Sequence, residues 1–100
     1  MVKKVIWTNN ADRIFTKILE FYIERNGTKT YSQKLNFEIQ TIIAILTKEP
    51  FLGKKTDIKG IRTLTINQFK IFYQIDNELL IIHQVWDMRQ NPESLDVFTT

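Results

Sequence analysis

The chain has 100 residues, 43% apolar and 25% charged, with no cysteine, one histidine and a net charge of +3 from 14 Lys+Arg against 11 Asp+Glu. That is one domain over residues 1–100, read as an ordinary soluble globule with a modest core. The composition excludes a disulfide scaffold, a thiolate zinc site and a histidine cluster, and no apolar run approaches the roughly 20 residues of a membrane span.

The opening Met-Val-Lys-Lys-Val-Ile-Trp carries lysines, but its apolar run is too short for a secretory signal. The expectation is a cytoplasmic protein with no cofactor, no metal and no membrane partner. Lys3 to Trp7 is β-branched and aromatic and predicts a short strand. Thr8, Asn9 or Asn10 can then cap a helix over about Ala11 to Arg25. Ile14, Ile18, Leu19, Tyr22 and Ile23 mark its apolar face, and Asn26-Gly27 its stop. A second helix starts near Thr28 or Thr30, with Thr30 and Gln33 at capping-box spacing. Its stripe is Tyr31, Leu35, Ile39, Ile42, Ile43 and Leu46, and Pro50 ends it. The short connection predicts an antiparallel helix hairpin.

Beyond Pro50, residues 51–60 read as a loop containing Gly53 and Gly60. Ile61 to Ile66 and Phe69 to Ile75 are strands joined by a turn at Asn67-Gln68, and Asp76 to Glu78 is a second turn. Leu79 to Trp86 is a near-continuous apolar run, the pattern of a strand buried on both faces. Asn91-Pro92 favours another turn, and a short last helix can begin at Pro92. The order β-α-α-β-β-β predicts an α+β fold, with the helix hairpin packed on one face of a small, mainly antiparallel sheet. Phe69, Ile71, Tyr73 and Ile75 should face the helices. Lys70, Phe72 and Gln74 should share the other face, whose half-apolar, half-basic character reads as a binding surface.

Positive charge is concentrated rather than spread. Lys54, Lys55, Lys59, Arg62 and Lys70 fall close together, opposed only by Asp57, and such clustering suits phosphate binding. A solvated lysine loop is the alternative for Lys54 and Lys55. His83 titrates in a range useful for acid–base chemistry, but mid-strand among apolar residues it reads first as a satisfied core histidine. Asp87 can act as a base or orient Arg89, and equally can hold a turn or a backbone amide. Trp86 can stack a base or plug the end of the sheet.

Pro50-x-x-Gly53, then Gly60-Ile61-Arg62-Thr63-Leu64, Phe69 to Ile75, and the ending Arg89-Gln90-Asn91-Pro92 resemble the RelE/ParE superfamily of bacterial type II toxins. Trp86 to Pro92 is similar to the ending of a subgroup known as plasmid stabilisation toxins. The resemblance covers almost the whole chain and implies a toxin neutralised by a cognate antitoxin, in a complex that binds operator DNA. It also implies one of two actions. RelE-like members cleave mRNA on the ribosome, and ParE-like members bind DNA gyrase without hydrolytic chemistry. RNA cleavage needs a base, an acid and cations facing the phosphate, with no metal. On that model Arg89 matches the arginine after the last strand, Lys70 replaces an arginine, and Arg62 fits the Gly-x-Arg-x-Leu pattern common to both branches. Asp87 joins them as a candidate catalytic group, with His83 beside it. Lys54, Lys55, Lys59 and Trp86 are the candidate RNA contacts. Arg89 can instead meet an antitoxin carboxylate, and Arg62 can anchor the sheet. Two features of the RNA-cleaving branch are absent: a C-terminal Tyr, where Ser94 to Phe98 stand, and paired strand lysines, where Ile61 and Thr63 stand. The sequence reading leans to ribosome-associated mRNA cleavage. A gyrase-binding toxin and a member that only binds its antitoxin are the alternatives.

Overall fold

Lys4–Trp7 (β1), Asn9–Asn26 (α1), Thr30–Lys48 (α2), Lys54–Lys55 (β2), Ile61–Ile66 (β3), Phe69–Asp76 (β4) and Leu79–Asp87 (β5) follow one another in a computed structural model that describes residues 2–89. The turn expected at Asn91-Pro92 and the helix expected from Pro92 lie outside those residues. The five strands form one sheet in the order β1-β5-β4-β3-β2. β1 runs parallel to β5, and every other pairing is antiparallel. The α+β reading is the observed architecture, with one unexpected strand. Lys54–Lys55 pairs with β3 at the sheet edge, within the stretch read as a loop.

Local chemistry accounts for the helix ends. Thr8 caps α1, its hydroxyl accepting from the Ala11 N–H at 3.0 Å. Gly27 ends α1 in the left-handed conformation (φ 72°), and its N–H reaches the Ile23 carbonyl at 2.8 Å. The expected capping box at Thr30 does not form. Thr30 is already inside the helix, Lys29 takes the cap position in helical geometry, and no side chain caps the end. Asn67 and Asn77, both at positive φ, turn the two tight hairpins that join β3 to β4 and β4 to β5.

The core lies between the helix hairpin and one face of the sheet. From α1 it takes Ala11, Phe15, Ile18 and Tyr22, and from α2 Leu35, Ile39, Ile42, Ile43 and Leu46. Phe15 is absent from the predicted stripe. Ile18 and Tyr22 of the expected stripe are buried with Ala11 and Phe15, and Ile14 and Leu19 flank them. Phe69, Ile71 and Tyr73 point into this core, as the alternation requires, joined by Leu80, Ile82 and Val85. The β4–β5 register shifts between Phe72, paired with Gln84, and Tyr73, paired with Ile82. His83 is the extra residue of this bulge.

A set of bonds around Tyr73 locks the chain after α2 onto the sheet. The ring is fully buried. Its hydroxyl donates to the Pro50 carbonyl at 2.8 Å and accepts from the Gly53 N–H at 2.9 Å. The Gly53 carbonyl in turn accepts from the Arg62 guanidinium at 2.7 Å. Gly53 has to be glycine here, because a Cβ would stand 2.6 Å from the Tyr73 hydroxyl and 2.8 Å from the Thr63 carbonyl. Gly53→Ala should therefore destabilise the fold by about 1–3 kcal/mol, as overpacking does. Tyr73→Phe should lose a similar amount, about 1–3 kcal/mol, by orphaning buried backbone groups. Urea unfolding of both variants checks this. A loss below about 0.5 kcal/mol, the scale of neutral surface changes, would show that this tie is not structural.

Candidate functional site

The end of β5 is organised around one carboxylate. Asp87 is only 2% exposed. One oxygen accepts from the Tyr22 hydroxyl at 2.6 Å, and the other accepts from the Gln68 amide at 2.9 Å and the Arg89 backbone N–H at 3.0 Å. Three donors satisfy the buried carboxylate. The network continues outward. Tyr31 donates to Gln68 Oε1 at 2.9 Å and receives the Arg89 guanidinium at 3.4 Å. The Tyr22 and Tyr31 rings meet edge to face at 4.8 Å. The Tyr22 hydroxyl is pushed up from 10.0 to about 12, first by burial and then by its bond to Asp87. Asp87 thus holds a backbone amide, one helix-to-sheet contact through Tyr22 and the β3–β4 turn through Gln68. Arg89 is exposed; its backbone is held by Asp87 and its guanidinium reaches Tyr31.

Arg62 lies elsewhere. Across β3 and β4 it pairs with Tyr73, on the helix side of the sheet, where it bonds Gly53 and sits 4.9 Å over the Phe51 ring. Lys70 is on the opposite face, paired with Thr65 and Trp86, its ammonium 5.7 Å from the Phe72 ring. The three cations named from sequence therefore do not converge. The face that carries Lys70 is also not an open basic platform, because Phe72 at its centre is 0% exposed. His83 is part-buried on the bulge and outside the hydrophobic cluster, its Nε2 bonded to Gln74 Oε1 at 2.8 Å. It is satisfied, as expected, but it is not a core residue. Burial lowers its pKa from 6.5. Trp86 Nε1 and Thr63 Oγ1 are buried without hydrogen-bond partners among the described residues. Lys54 pairs with Thr63 and Lys55 with Arg62, so strand alternation sends these neighbouring lysines to opposite faces. Lys59 is in the loop between β2 and β3.

Sequence reading misses Tyr22, Tyr31 and Gln68 as polar participants. It takes both tyrosines as parts of apolar stripes and Gln68 as a turn residue. A buried tyrosine needs a hydroxyl partner, and Asp87 is the acid that the strand order delivers to it. Among the described residues no group of three or more His, Cys, Asp or Glu is placed to hold a metal ion. No helix among them is long and apolar enough to cross a membrane.

Removing the Asp87 carboxylate should be costly. Asp87→Ala leaves buried donors on Tyr22 and Gln68 and should cost about 3 kcal/mol, whereas Arg89→Ala should change stability by less than about 0.5 kcal/mol. A urea midpoint that moves equally for both variants would refute that division.

The pH dependence has two arms. Tyr22 is raised in the folded state, so its contribution is fully present below pH 10.0 and is lost as the pH climbs towards about 12. His83 is lowered, so its contribution is present above its ordinary 6.5 and is lost as the pH falls below it. Thermal melts from pH 8 to pH 5 (roughly the window of histidine titration) should show a declining melting temperature. His83→Gln should flatten that decline. An unchanged slope would mean that His83 is not its source.

Comparison with known proteins places the fold and its ends in context. Residues 5–92 match the family model described as the ParE toxin of type II toxin–antitoxin systems, parDE. Toxin ParE3 of Caulobacter vibrioides is 29% identical over 86 residues, covering 84% of this chain and 81% of that toxin. The structure of a chromosomal ParDE toxin–antitoxin system from P. aeruginosa shares the fold with a TM-score of 0.71 at 20% identity, over 85% of this chain and 94% of that one. The Pro50, Gly53, Arg62 and Tyr73 ties and the five-stranded sheet with its helix hairpin are thus those of a chain that belongs to the ParE toxin family of type II toxin–antitoxin systems.

Proposed function

We propose that this chain arrests growth by binding DNA gyrase, without bond-breaking chemistry of its own, and that a protein antitoxin encoded alongside neutralises it. The observation that carries this reading is the occupation of Asp87. The carboxylate that would serve as base is buried and accepts three internal hydrogen bonds. His83, the other titratable candidate, is engaged by Gln74 on a different part of the sheet from Arg89. General acid–base catalysis needs such groups within reach of one reacting hydroxyl. Recognition of a protein target asks less. It needs an exposed cation and a firm scaffold behind it, and Arg89 on the Tyr31–Gln68–Asp87 network is such a group. Family membership supports the same direction, because the chain matches the ParE model.

Ribosome-associated mRNA cleavage is the competing reading. It would need Arg62, Lys70 and Arg89 to act on one phosphate, and they are held at separate places. One experiment separates the two. The chain and its Arg89→Ala variant are expressed under tight control in bacteria, and the purified protein is added to a gyrase supercoiling assay. Filamentous cells, broken DNA, intact mRNA and lost supercoiling are the expected outcome. Arg89→Ala should weaken inhibition by about 10-fold or more, the effect of removing a central interfacial arginine. Fragmented mRNA with intact DNA and unaffected gyrase would sink the proposal in favour of RNA cleavage. No growth defect would sink both.

A further inference from the structure

On the helix side of the β2–β3 edge lies a cleft of about 310 Å³, at the small end of the range of roughly 300–1,000 Å³ for ligand sites. Lys55, Lys59 and Arg62 put three cations around it, and Ile58, Ile61 and Ile75 supply its apolar lining. Among the described residues, no carboxylate lines it. Asp57, the acid nearest in sequence, is exposed and is not part of the lining. Phe51, also in the lining, is 68% exposed beneath the Arg62 guanidinium. Leu52 and Ile58 are exposed beside it in sequence, so three large apolar residues within eight positions face water. A soluble surface that leaves such side chains together is ordinarily covered by a partner.

The cleft also stands apart from the Arg89 end, because its lining shares no residue with the Asp87 network. It is rigid on one side. The Tyr73–Pro50–Gly53 bonds fix the start of the loop that carries Phe51, and among the described residues Arg62 gives one hydrogen bond, to Gly53. Its remaining N–H groups are free to meet a carboxylate in forked geometry.

We infer that this cleft receives an acidic segment of the cognate antitoxin, with one apolar side chain seated on Ile58, Ile61 and Ile75 and flanking carboxylates on Lys55, Lys59 and Arg62. This rests on the reading of the chain as a toxin held by a protein antitoxin. Charge complementarity selects the sign of the occupant, and the isoleucines select a peptide over a nucleic-acid strand. A strand needs a continuing track of cations and stacking faces. Here strand alternation turns Lys54 away from Lys55, and among the described residues of the lining Phe51 is the one aromatic ring.

The test measures binding of the full-length antitoxin encoded in the adjacent reading frame to the full chain, by titration calorimetry at low and at physiological salt. Lys55→Glu/Lys59→Glu should weaken binding by about 10- to 100-fold and reduce its salt dependence. Ile58→Ser should weaken it by about 5- to 10-fold and leave the salt dependence unchanged. All three positions are exposed, and thermal melts confirm that the variants fold. A shift below about fivefold for the double reversal, the effect of ordinary surface charges, overturns the assignment. So does failure of the antitoxin to bind the wild-type chain. A single-stranded RNA oligonucleotide is titrated in parallel. If charge reversal abolishes its binding and leaves the antitoxin unmoved, the cleft belongs to nucleic acid and the inference is wrong. The supercoiling assay on the wild-type chain keeps the two readings separable. A chain that spares gyrase yet loses its antitoxin on charge reversal keeps the cleft and loses the target.

Discussion

The Tyr73 hydroxyl is the point on which the rest of the architecture depends. It sits in the middle strand of the sheet, under the hairpin, and bonds to both Pro50 and Gly53. A buried hydroxyl must find partners, and buried backbone groups must find theirs. Here each answers the other. The consequence is geometric: the chain leaves α2, drops onto the sheet, and presents Gly53 at a separation that admits no side chain. Arg62 then reaches the Gly53 carbonyl and stacks over Phe51. The edge strand β2, the cleft beside it and the exposed Phe51 ring all follow from that one descent.

A second polar tie works at the opposite end of the same sheet. Asp87 joins β5 to α1 through Tyr22 and to the β3–β4 turn through Gln68. Replacing these groups by apolar ones of equal shape need not destabilise the fold, but removing one member leaves the others stranded. The network also explains why Arg89 ends where it does. Its backbone N–H is captured by Asp87, so the residue is placed accurately while its side chain stays exposed. Accuracy of the backbone with freedom of the guanidinium suits a contact to a partner better than it suits a reaction centre, where the cation would itself be held.

Much of the fold is legible in the sequence because its signals are local. Hairpin asparagines, the Asn26-Gly27 stop, the Pro50 break and the β4 alternation all act within a few residues. What escaped is non-local. β2 is two lysines with no strand signal of their own, and they are strand only because β3 lies alongside. The expected α1 stripe includes Ile18 and Tyr22 but lacks Ala11 and Phe15, whose burial is decided by the sheet packed against them. The bulge at His83 shifts the parity of β5, so no alternation rule could place that imidazole. The candidate site fared less well for the same reason. Arg62, Lys70 and Arg89 look equivalent as charges in a row, yet strand parity and one glycine carbonyl send them to three different environments.

The residues that carry the family resemblance are mostly the ones that hold the chain together. Pro50, Gly53, Arg62 and Tyr73 form a single bonded set. A pattern composed of structural ties identifies an architecture and is silent about its target. The side chains able to discriminate among targets stand outside that bonded set: Arg89 beyond the last strand, and Lys55, Lys59 and Phe51 around the edge cleft. They lie on two surfaces with different chemistry, one polar and backed by a hydrogen-bond network, the other apolar and ringed by cations. Two such surfaces on one small domain allow target and antitoxin to be contacted at separate places.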